Sequence, residues 1–318
     1  MEDCHGRTIN YLRLSVTDLC NLRCRYCMPA QGVYKKSHKD ILKLEEIELL
    51  AQEFVALGID KIRITGGEPL VRKGILTLIE KVASIDGLKD FSMTTNGTLL
   101  KKFAKDLKAA GLKRLNVSLD TLNDEKYSYI TRGGSLKHVL EGIEEAQKAG
   151  LNPIKMNVVV IKNFNEDEID NFINLTRYIN MDIRFIELMS IGEAARWSNN
   201  RFLSNTKILD KRKELIKMAK EDPASPADYY KLPDGIGRIG LISPISCKFC
   251  QSCNRIRLTA DGRLKHCLHS DDEINLKELL PNRKLVREVI SNSILQKPFS
   301  HHLEEGKYII RNMVQIGG

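Results

Sequence analysis

The sequence predicts an α/β fold, a partial TIM-type (βα)6 barrel followed by a small C-terminal α+β domain. Three observations carry that prediction. Short apolar runs alternate with amphipathic helical patterns six times between residue 9 and about residue 190. Glycines at 58, 111 and 150 stop helical patterns just before the next apolar run. Polar residues gather where five of the expected strands end, which is where barrels and doubly wound sheets keep their active sites. A doubly wound open sheet remains an alternative. Right-handed crossovers joining parallel strands make the barrel the more economical closure.

The expected strands are 11–16, 61–65, 90–94, 114–119, 153–161 and 182–188. Between them, spacing of apolar residues at three and four predicts helices over 44–57, 75–83, 99–109, 136–149 and 166–178. The 44–57 stripe, for example, runs Leu44, Ile47, Leu50, Phe54, Leu57. Residues 190–235 lose the rhythm and carry Pro223, Pro226 and Pro233, so they read as a connection with one helix over 206–220. A strand over 237–243 follows. Asp261-Gly262 then sits between two alternating runs and predicts a β-hairpin. The expected division is a barrel core over 1–230 and a C-terminal domain over 231–318.

Length and composition limit the function. A chain of 318 residues, 42% hydrophobic and 29% charged, suits a globular protein of about two domains. No apolar run reaches membrane-spanning length, and Met-Glu-Asp-Cys-His is no signal peptide, so a cytoplasmic protein without membrane attachment is expected. The net charge of +9 suits an anionic partner, but aromatic residues are only 6% and form no basic aromatic stripe. Nucleic acid is therefore not expected as a ligand.

Cysteine spacing says most about chemistry. Cys20, Cys24 and Cys27 follow the first strand as CxxxCxxC. Three thiolates on one loop can hold three corners of a cubane iron–sulfur cluster, leaving the fourth iron open to a small molecule. Zinc is the alternative, but a closed zinc site wants four ligands, and the nearest histidines, His5 and His38, lie outside the triplet. A second clump holds Cys247, Cys250, Cys253 and Cys267. The hairpin brings Cys267 to within two or three residues of the level of Cys253, about 10 Å or less at strand rise. Period-two alternation puts Arg255 and Arg257 on one face, as a clamp for phosphate or carboxylate or as a solvated surface pair.

These motifs carry a family resemblance. CxxxCxxC with Gly66-Gly67-Glu68-Pro69 resembles the radical S-adenosylmethionine (SAM) superfamily. Narrower matches are Arg13-Leu-Ser-Val-Thr-Asp18, Asn116-Val-Ser-Leu-Asp120, Arg184-Phe-Ile-Glu-Leu-Met189, CxxCNRIR and the terminal Ile316-Gly317-Gly318. Together they are similar to the GTP 3′,8-cyclases of molybdenum cofactor biosynthesis, from about residue 6 to the last residue.

The resemblance implies two 4Fe–4S clusters, one on Cys20, Cys24 and Cys27 and one on Cys250, Cys253 and Cys267. It implies SAM at Tyr26, Gly67, Ser118 and Met189. It implies GTP at Arg13, Arg63, Thr98, Lys155, Arg255 and Arg257, with Arg255, Arg257, Gly317 and Gly318 taking part in catalysis. The implied reaction is a radical lyase step: a 5′-deoxyadenosyl radical takes the ribose C3′ hydrogen of GTP, and C3′ closes on guanine C8. A low-potential electron donor and cyclic pyranopterin monophosphate synthase, which receives the product, are the implied partners, and a homodimer is compatible.

Cys247 departs from the pattern and could close the second cluster; it reads better as a bystander because the triplet is complete without it. His266 and His269 flank Cys267 and stay open as ligands. Cys4 reads as a free thiol. The rivals are another radical SAM enzyme with an auxiliary cluster, such as a peptide maturase, and a non-catalytic iron–sulfur or zinc protein. The latter would leave Gly66-Gly67-Glu68-Pro69 unexplained.

Overall fold

Six βα units do form, and their parallel strands are β1 (Tyr11–Ser15), β2 (Lys61–Thr65), β3 (Asp90–Thr95), β4 (Arg114–Ser118), β5 (Ile154–Val160) and β6 (Asp182–Glu187). The computed structural model describes residues 1–197, 200–301, 309 and 311–318. Strand ends agree with the apolar runs to within a residue. That agreement follows from strong alternation. Leu12, Leu14, Ile62, Ile64, Phe91, Met93, Leu115 and Val117 are all buried in one hydrophobic cluster under the helices. Every second residue faces the other way, and many of those are charged.

The outer helices are α1 (Leu44–Ala56), α2 (Ile75–Ala83), α3 (Leu100–Ala109), α4 (Asp124–Thr131), α5 (Leu136–Lys148) and α6 (Ile169–Leu175). Gly58, Gly111 and Gly150 have φ of +94°, +94° and +77°, the left-handed conformation a helix stop asks of glycine. Two helices differ from the sequence pattern. Helix α4 breaks no run of periodic apolar residues and so escapes pattern reading. It is started instead by Asn123, whose side chain accepts from the Lys126 N–H at 2.9 Å. The helix expected over 166–178 is a 3-10 turn (Glu166–Glu168) continued by α6, and it ends at Leu175.

The stretch after β6 holds α7 (Glu193–Trp197), α8 (Thr206–Lys211), β7 (Ile216–Lys217) and β8 (Ala227–Lys231). The helix expected over 206–220 therefore stops at Lys211. Beyond it, Ile216 and Lys217 pair antiparallel with Lys231 and Tyr230, and this ladder overrides the local helical preference of a lysine-rich segment. Next comes β9 (Arg238–Ile242), parallel to β6 and antiparallel to β8. The predicted hairpin is present as β10 (Arg255–Leu258) and β11 (Arg263–Lys265), with Gly262 at φ +78° in its turn. Strand β12 (Ile274–Asn275) and helix α9 (Arg283–Leu295) complete the fold.

The hairpin does not stand apart from the barrel. Strand β10 runs parallel to β1, with Tyr11 opposite Arg255 and Arg13 opposite Arg257. Among the described residues the twelve strands make one sheet in the order β12-β11-β10-β1-β2-β3-β4-β5-β6-β9-β8-β7. Helix α9 packs beside α1, and Arg283 and Arg287 both hold the wholly buried Glu53 of α1. The main hydrophobic cluster likewise runs from Leu12 through Ile256 to Ile290.

Candidate active site

The loop after β1 carries Cys20, Cys24 and Cys27, all half-buried and none in a disulfide. Burial pushes the Cys24 thiol well up, and Cys27, Asp120 and Cys20 push it further. Burial likewise raises Cys27 to about 12, with Cys20 adding to it. Three thiols that oppose one another's ionisation are a donor set waiting for a cation. Cys20 Sγ accepts from the Leu22 N–H at 3.4 Å and lies 3.7 Å from the Asn96 amide nitrogen. Among the described residues, no three His, Cys, Asp or Glu side chains group as ligands of a single metal ion. A cubane asks for a wider set, because each thiolate binds a different corner.

Glu68 fastens the neighbouring loops. Its buried carboxylate accepts from Leu70 N at 3.0 Å, Thr95 Oγ1 at 2.9 Å and Asn96 N at 2.7 Å. Burial lifts its pKa to about 7 despite those donors. Gly67 is packed so closely that a Cβ would stand 2.4 Å from the Leu19 carbonyl oxygen and 2.7 Å from Val314. Tyr26 donates to Asp120 Oδ2 at 2.7 Å, and Asp120 Oδ1 accepts from Val159 N at 2.9 Å. Burial raises Asp120 to about 6. Ser118 ends β4, and Met189 follows β6 with its sulfur 3.3 Å from His269 Nε2. Gly67, Ser118 and Met189 thus stand at or just past the carboxyl ends of β2, β4 and β6, with Tyr26 on the loop beyond β1.

The second triplet is also reduced and half-buried. Cys250 and Cys253 lie on a 3-10 turn, with Cys253 N donating to the Cys250 carbonyl at 3.1 Å. Extending the hairpin register places Cys267 opposite Arg255, two residues from Cys253. Burial raises Cys250, and Cys267 and Cys253 add to the rise. Burial also works against a thiolate at Cys253, but Lys297, Arg255 and Arg7 outweigh it and hold Cys253 below the usual thiol range. Cys247 is exposed and acts on Tyr230. His266 Nε2 is turned to Ser293 Oγ at 2.7 Å, while the His269 ring lies tilted against that of His301, with centroids 4.5 Å apart. Two all-sulfur triplets of this kind fit cubane clusters and suit hard-ligand metals poorly.

Cys20 follows the carboxyl end of β1, and Cys253 precedes the amino end of its partner β10. Along this strand pair the two triplets flank Arg13, Arg255 and Arg257. Arg13 reaches the carbonyls of Gly317 (3.2 Å) and Gly318, and Arg257 reaches those of Ile316 (3.3 Å) and Gly317 (3.2 Å). The chain's end therefore lies inside the site.

Toward the strand starts the barrel encloses a cavity whose walls include Tyr11, Lys61, Arg63, Arg114, Lys155, Arg184, Arg238 and Arg255. Burial pulls Arg63 down to about 10, with Arg184 and Arg114 acting the same way against Tyr11 and Asp90. Arg257 is also lowered to about 10 by burial, although Cys267 pulls the other way. Buried donors without partners among the described residues include Tyr11 Oη, Arg13 Nε, Asn116 Nδ2 and Arg184 Nε. Unmatched donors and crowded guanidiniums are the lining a polyanion would satisfy.

Of the six residues expected at GTP, Arg63, Lys155 and Arg255 line this cavity, and Arg13 and Arg257 lie level with Arg63 and two residues along the strands from Tyr11 and Arg255. Thr98 does not line it. It follows the carboxyl end of β3 and bonds Asn21 and Asn96 beside the Cys20 loop. Sequence reasoning missed Lys61, Arg114, Arg184 and Arg238. Each occupies an inward position of a strand whose other face is apolar, so the same period-two signal could have found them. The segment 218–226, read only as a connection, covers one mouth of the cavity: Asp222 pairs with Lys61 at 3.1 Å and Glu221 with Arg238 at 3.2 Å.

Family models match the chain in two pieces. Residues 14–176 match the Radical SAM superfamily, and residues 181–303 match Molybdenum Cofactor Synthesis C. The chain is 56% identical over 317 residues to the GTP 3′,8-cyclase of Peptoclostridium acidaminophilum, covering 99% of this chain and 98% of that one. It is 54% identical to the GTP 3′,8-cyclase of Alkaliphilus oremlandii, with both chains covered in full. The Streptococcus suis SuiB structure bound to S-adenosylmethionine has the same fold, with a TM-score of 0.56 at 14% identity, covering 98% of this chain and 77% of that one. No helix among the described residues is long and apolar enough to cross a membrane. Sequence, sheet and thiol triplets agree, and the chain belongs to the GTP 3′,8-cyclases of the radical SAM superfamily.

Proposed function

We infer that the barrel interior holds GTP between two open iron–sulfur sites and that the chain cyclises it in the first step of molybdenum cofactor synthesis. The single observation that carries this reading is the row of buried and half-buried guanidiniums on β1, β2 and β10 between two cysteine triplets. The clusters and SAM, when bound, would supply a carbon radical to take the ribose C3′ hydrogen and, once C3′ has closed on guanine C8, one further electron from the low-potential donor that with a proton quenches the ring radical. The protein's own task is to bind, orient and exclude water.

Cys20, Cys24 and Cys27 would hold the cluster that activates SAM, with Tyr26, Gly67, Ser118 and Met189 around the methionine and adenosine parts. Asp120 fixes the Tyr26 ring, and Glu68 fixes the loop that carries Asn96. Cys250, Cys253 and Cys267 would hold the second cluster at the guanine end. Arg63, Lys155 and Arg255 would take the triphosphate, joined by Arg184 and Lys61 from the same cavity wall. Arg13 and Arg257 stand where the nucleotide and the Gly317-Gly318 tail meet. Thr98 lies at the opposite mouth, beside the first triplet's loop, and we place it beside the ribose rather than the base or the phosphates.

The division into a barrel core (1–230) and a C-terminal part (231–318) is then functional: the first part handles SAM and the second handles the base. A cytoplasmic setting, a low-potential electron donor and a downstream cyclic pyranopterin monophosphate synthase complete the reading.

The test is anaerobic reconstitution followed by incubation with SAM, a strong reductant and either GTP or ATP. Formation of 5′-deoxyadenosine with GTP alone is the expected result. Equal turnover with ATP would remove the substrate assignment.

A further inference from the structure

Two lysines, Lys265 and Lys297, rank among the largest wholly buried side chains of the molecule. A lysine is almost never fully buried unless its charge is matched. Lys265 obeys that rule. Its Nζ lies 3.1 Å from a Glu273 carboxylate oxygen and donates to the Ser270 carbonyl at 2.5 Å. Lys297 is different. It is 2% exposed, its Nζ donates to the His266 carbonyl at 2.5 Å, and no carboxylate pairs with it among the described residues.

Its surroundings indicate what matches the charge. His266 is the residue before Cys267. The Lys297 carbonyl accepts from Arg7 Nη2 at 3.1 Å, and Arg7 Nη1 donates to the Cys250 carbonyl at 2.9 Å. Lys297 is thus tied on both sides to the backbone that presents the second triplet. Arg7 has its own partner, Asp3, with Nε to Oδ2 at 2.6 Å, so of these two cations the ammonium of Lys297 is the one without a carboxylate. A cubane held by three thiolates is an anion, and it gains one more negative charge on reduction. Inside the protein such charges interact far more strongly than in water.

We propose that Lys297 is the counter-charge of the cluster on Cys250, Cys253 and Cys267, and that it raises that cluster's reduction potential. Lys297 is a positioning residue and does not touch substrate. On reduction the cluster takes one electron, no bond breaks and no proton moves; the ammonium stabilises the reduced anion more than the oxidised one. The first triplet is tied differently: Arg23, half-buried within its own loop, donates to the Cys20 carbonyl at 2.5 Å, and Asp120 is joined to the loop through Tyr26 at 2.7 Å. This inference rests on the second triplet binding a cluster, as read above.

The test compares the full chain with Lys297→Gln, which keeps a donor for the His266 carbonyl but loses the charge, and Lys297→Arg, which keeps the charge. Iron is counted after anaerobic reconstitution, and redox titration is followed by electron paramagnetic resonance. The second cluster is identified as the signal that responds to added GTP. Lys297→Gln is expected to leave about tenfold fewer second clusters reduced at a fixed potential, ~59 mV lower for a one-electron couple. The first cluster should not move, and Lys297→Arg should stay within about twofold of the parent by the same relation. Loss of the second cluster in Lys297→Gln with retention in Lys297→Arg would support the counter-charge equally. Unchanged midpoints, equal behaviour of the two variants, or a matching shift in both clusters would overturn it. If the parent itself holds only half the iron and shows no GTP-sensitive signal, the second-cluster reading falls first, and the iron count tells that failure apart.

Discussion

Arg257 Nη1 donates to the carbonyls of Ile316 at 3.3 Å and Gly317 at 3.2 Å, so a strand residue beside the second triplet holds the chain's own last turn. Arg13, its partner across the β1–β10 pair, holds the same tail. The two guanidiniums therefore serve the backbone end and, in the loaded enzyme, the nucleotide.

Replacing Arg257 by Ala removes charge-assisted bonds, each of which contributes roughly 1.5–3 kcal/mol. A fall of about tenfold or more in kcat/KM for GTP is expected, with SAM affinity within about twofold of the parent by the same reasoning. Steady-state kinetics and SAM binding measured side by side check it. Loss of SAM binding with GTP kinetics intact would contradict the assignment.

Arg7 uses its guanidinium on the carbonyls of Cys250, Phe299, Lys297 and Pro298 as well as on Asp3. Its removal leaves several buried carbonyls without a donor and frees the loop of the second triplet. Arg7→Ala is expected to drop reconstituted iron from about eight toward about four per chain, as two or one cubanes require. An unchanged iron content would show the loop to be held by other means.

Cys247 stands exposed toward Tyr230 while Cys250, Cys253 and Cys267 act on one another. Cys247→Ser should therefore keep both clusters, whereas Cys250→Ser should lose the second. Iron analysis with Mössbauer spectra decides between them.

The carboxyl of Glu68 holds its proton up to about 7 in the fold, against 4.5 for the ordinary group. Between those values the folded chain binds more protons than the unfolded one, so folding stability falls as pH rises from about 4.5 to about 7. The size is on the order of 3 kcal/mol from the shift alone. Denaturant unfolding of the metal-free chain across this range should show the decline, with Asp120 adding to it below about 6, and Glu68→Gln should flatten the part between about 6 and about 7. A parallel slope in the variant would assign the effect to another group.

Much of this was readable beforehand because alternation is strong on β1 to β6 and glycines mark the helix ends. The cysteine spacing and Asp261-Gly262 likewise announce themselves without tertiary information. Helix α4 rests on a capping Asn123 rather than a stripe, so periodicity does not reveal it. The short strand at Ile216 exists only because Lys231 and Tyr230 are there to pair with it. Alternation sets Lys61, Arg114, Arg184 and Arg238 on the face opposite the core, and only the curving of the strands around the cavity makes that face the interior rather than solvent. Burial of Lys297 is a property of packing and has no local signature.

The parallel pairing of β1 with β10 has a mechanical outcome. The span separating the two metal-holding ends is inherited from backbone register, as teeth fix the spacing of meshed racks, and not from the docking of loosely tethered lobes. One residue of slip between these strands would turn Arg255 and Arg257 from the lumen to the helices and carry the rear thiols with them.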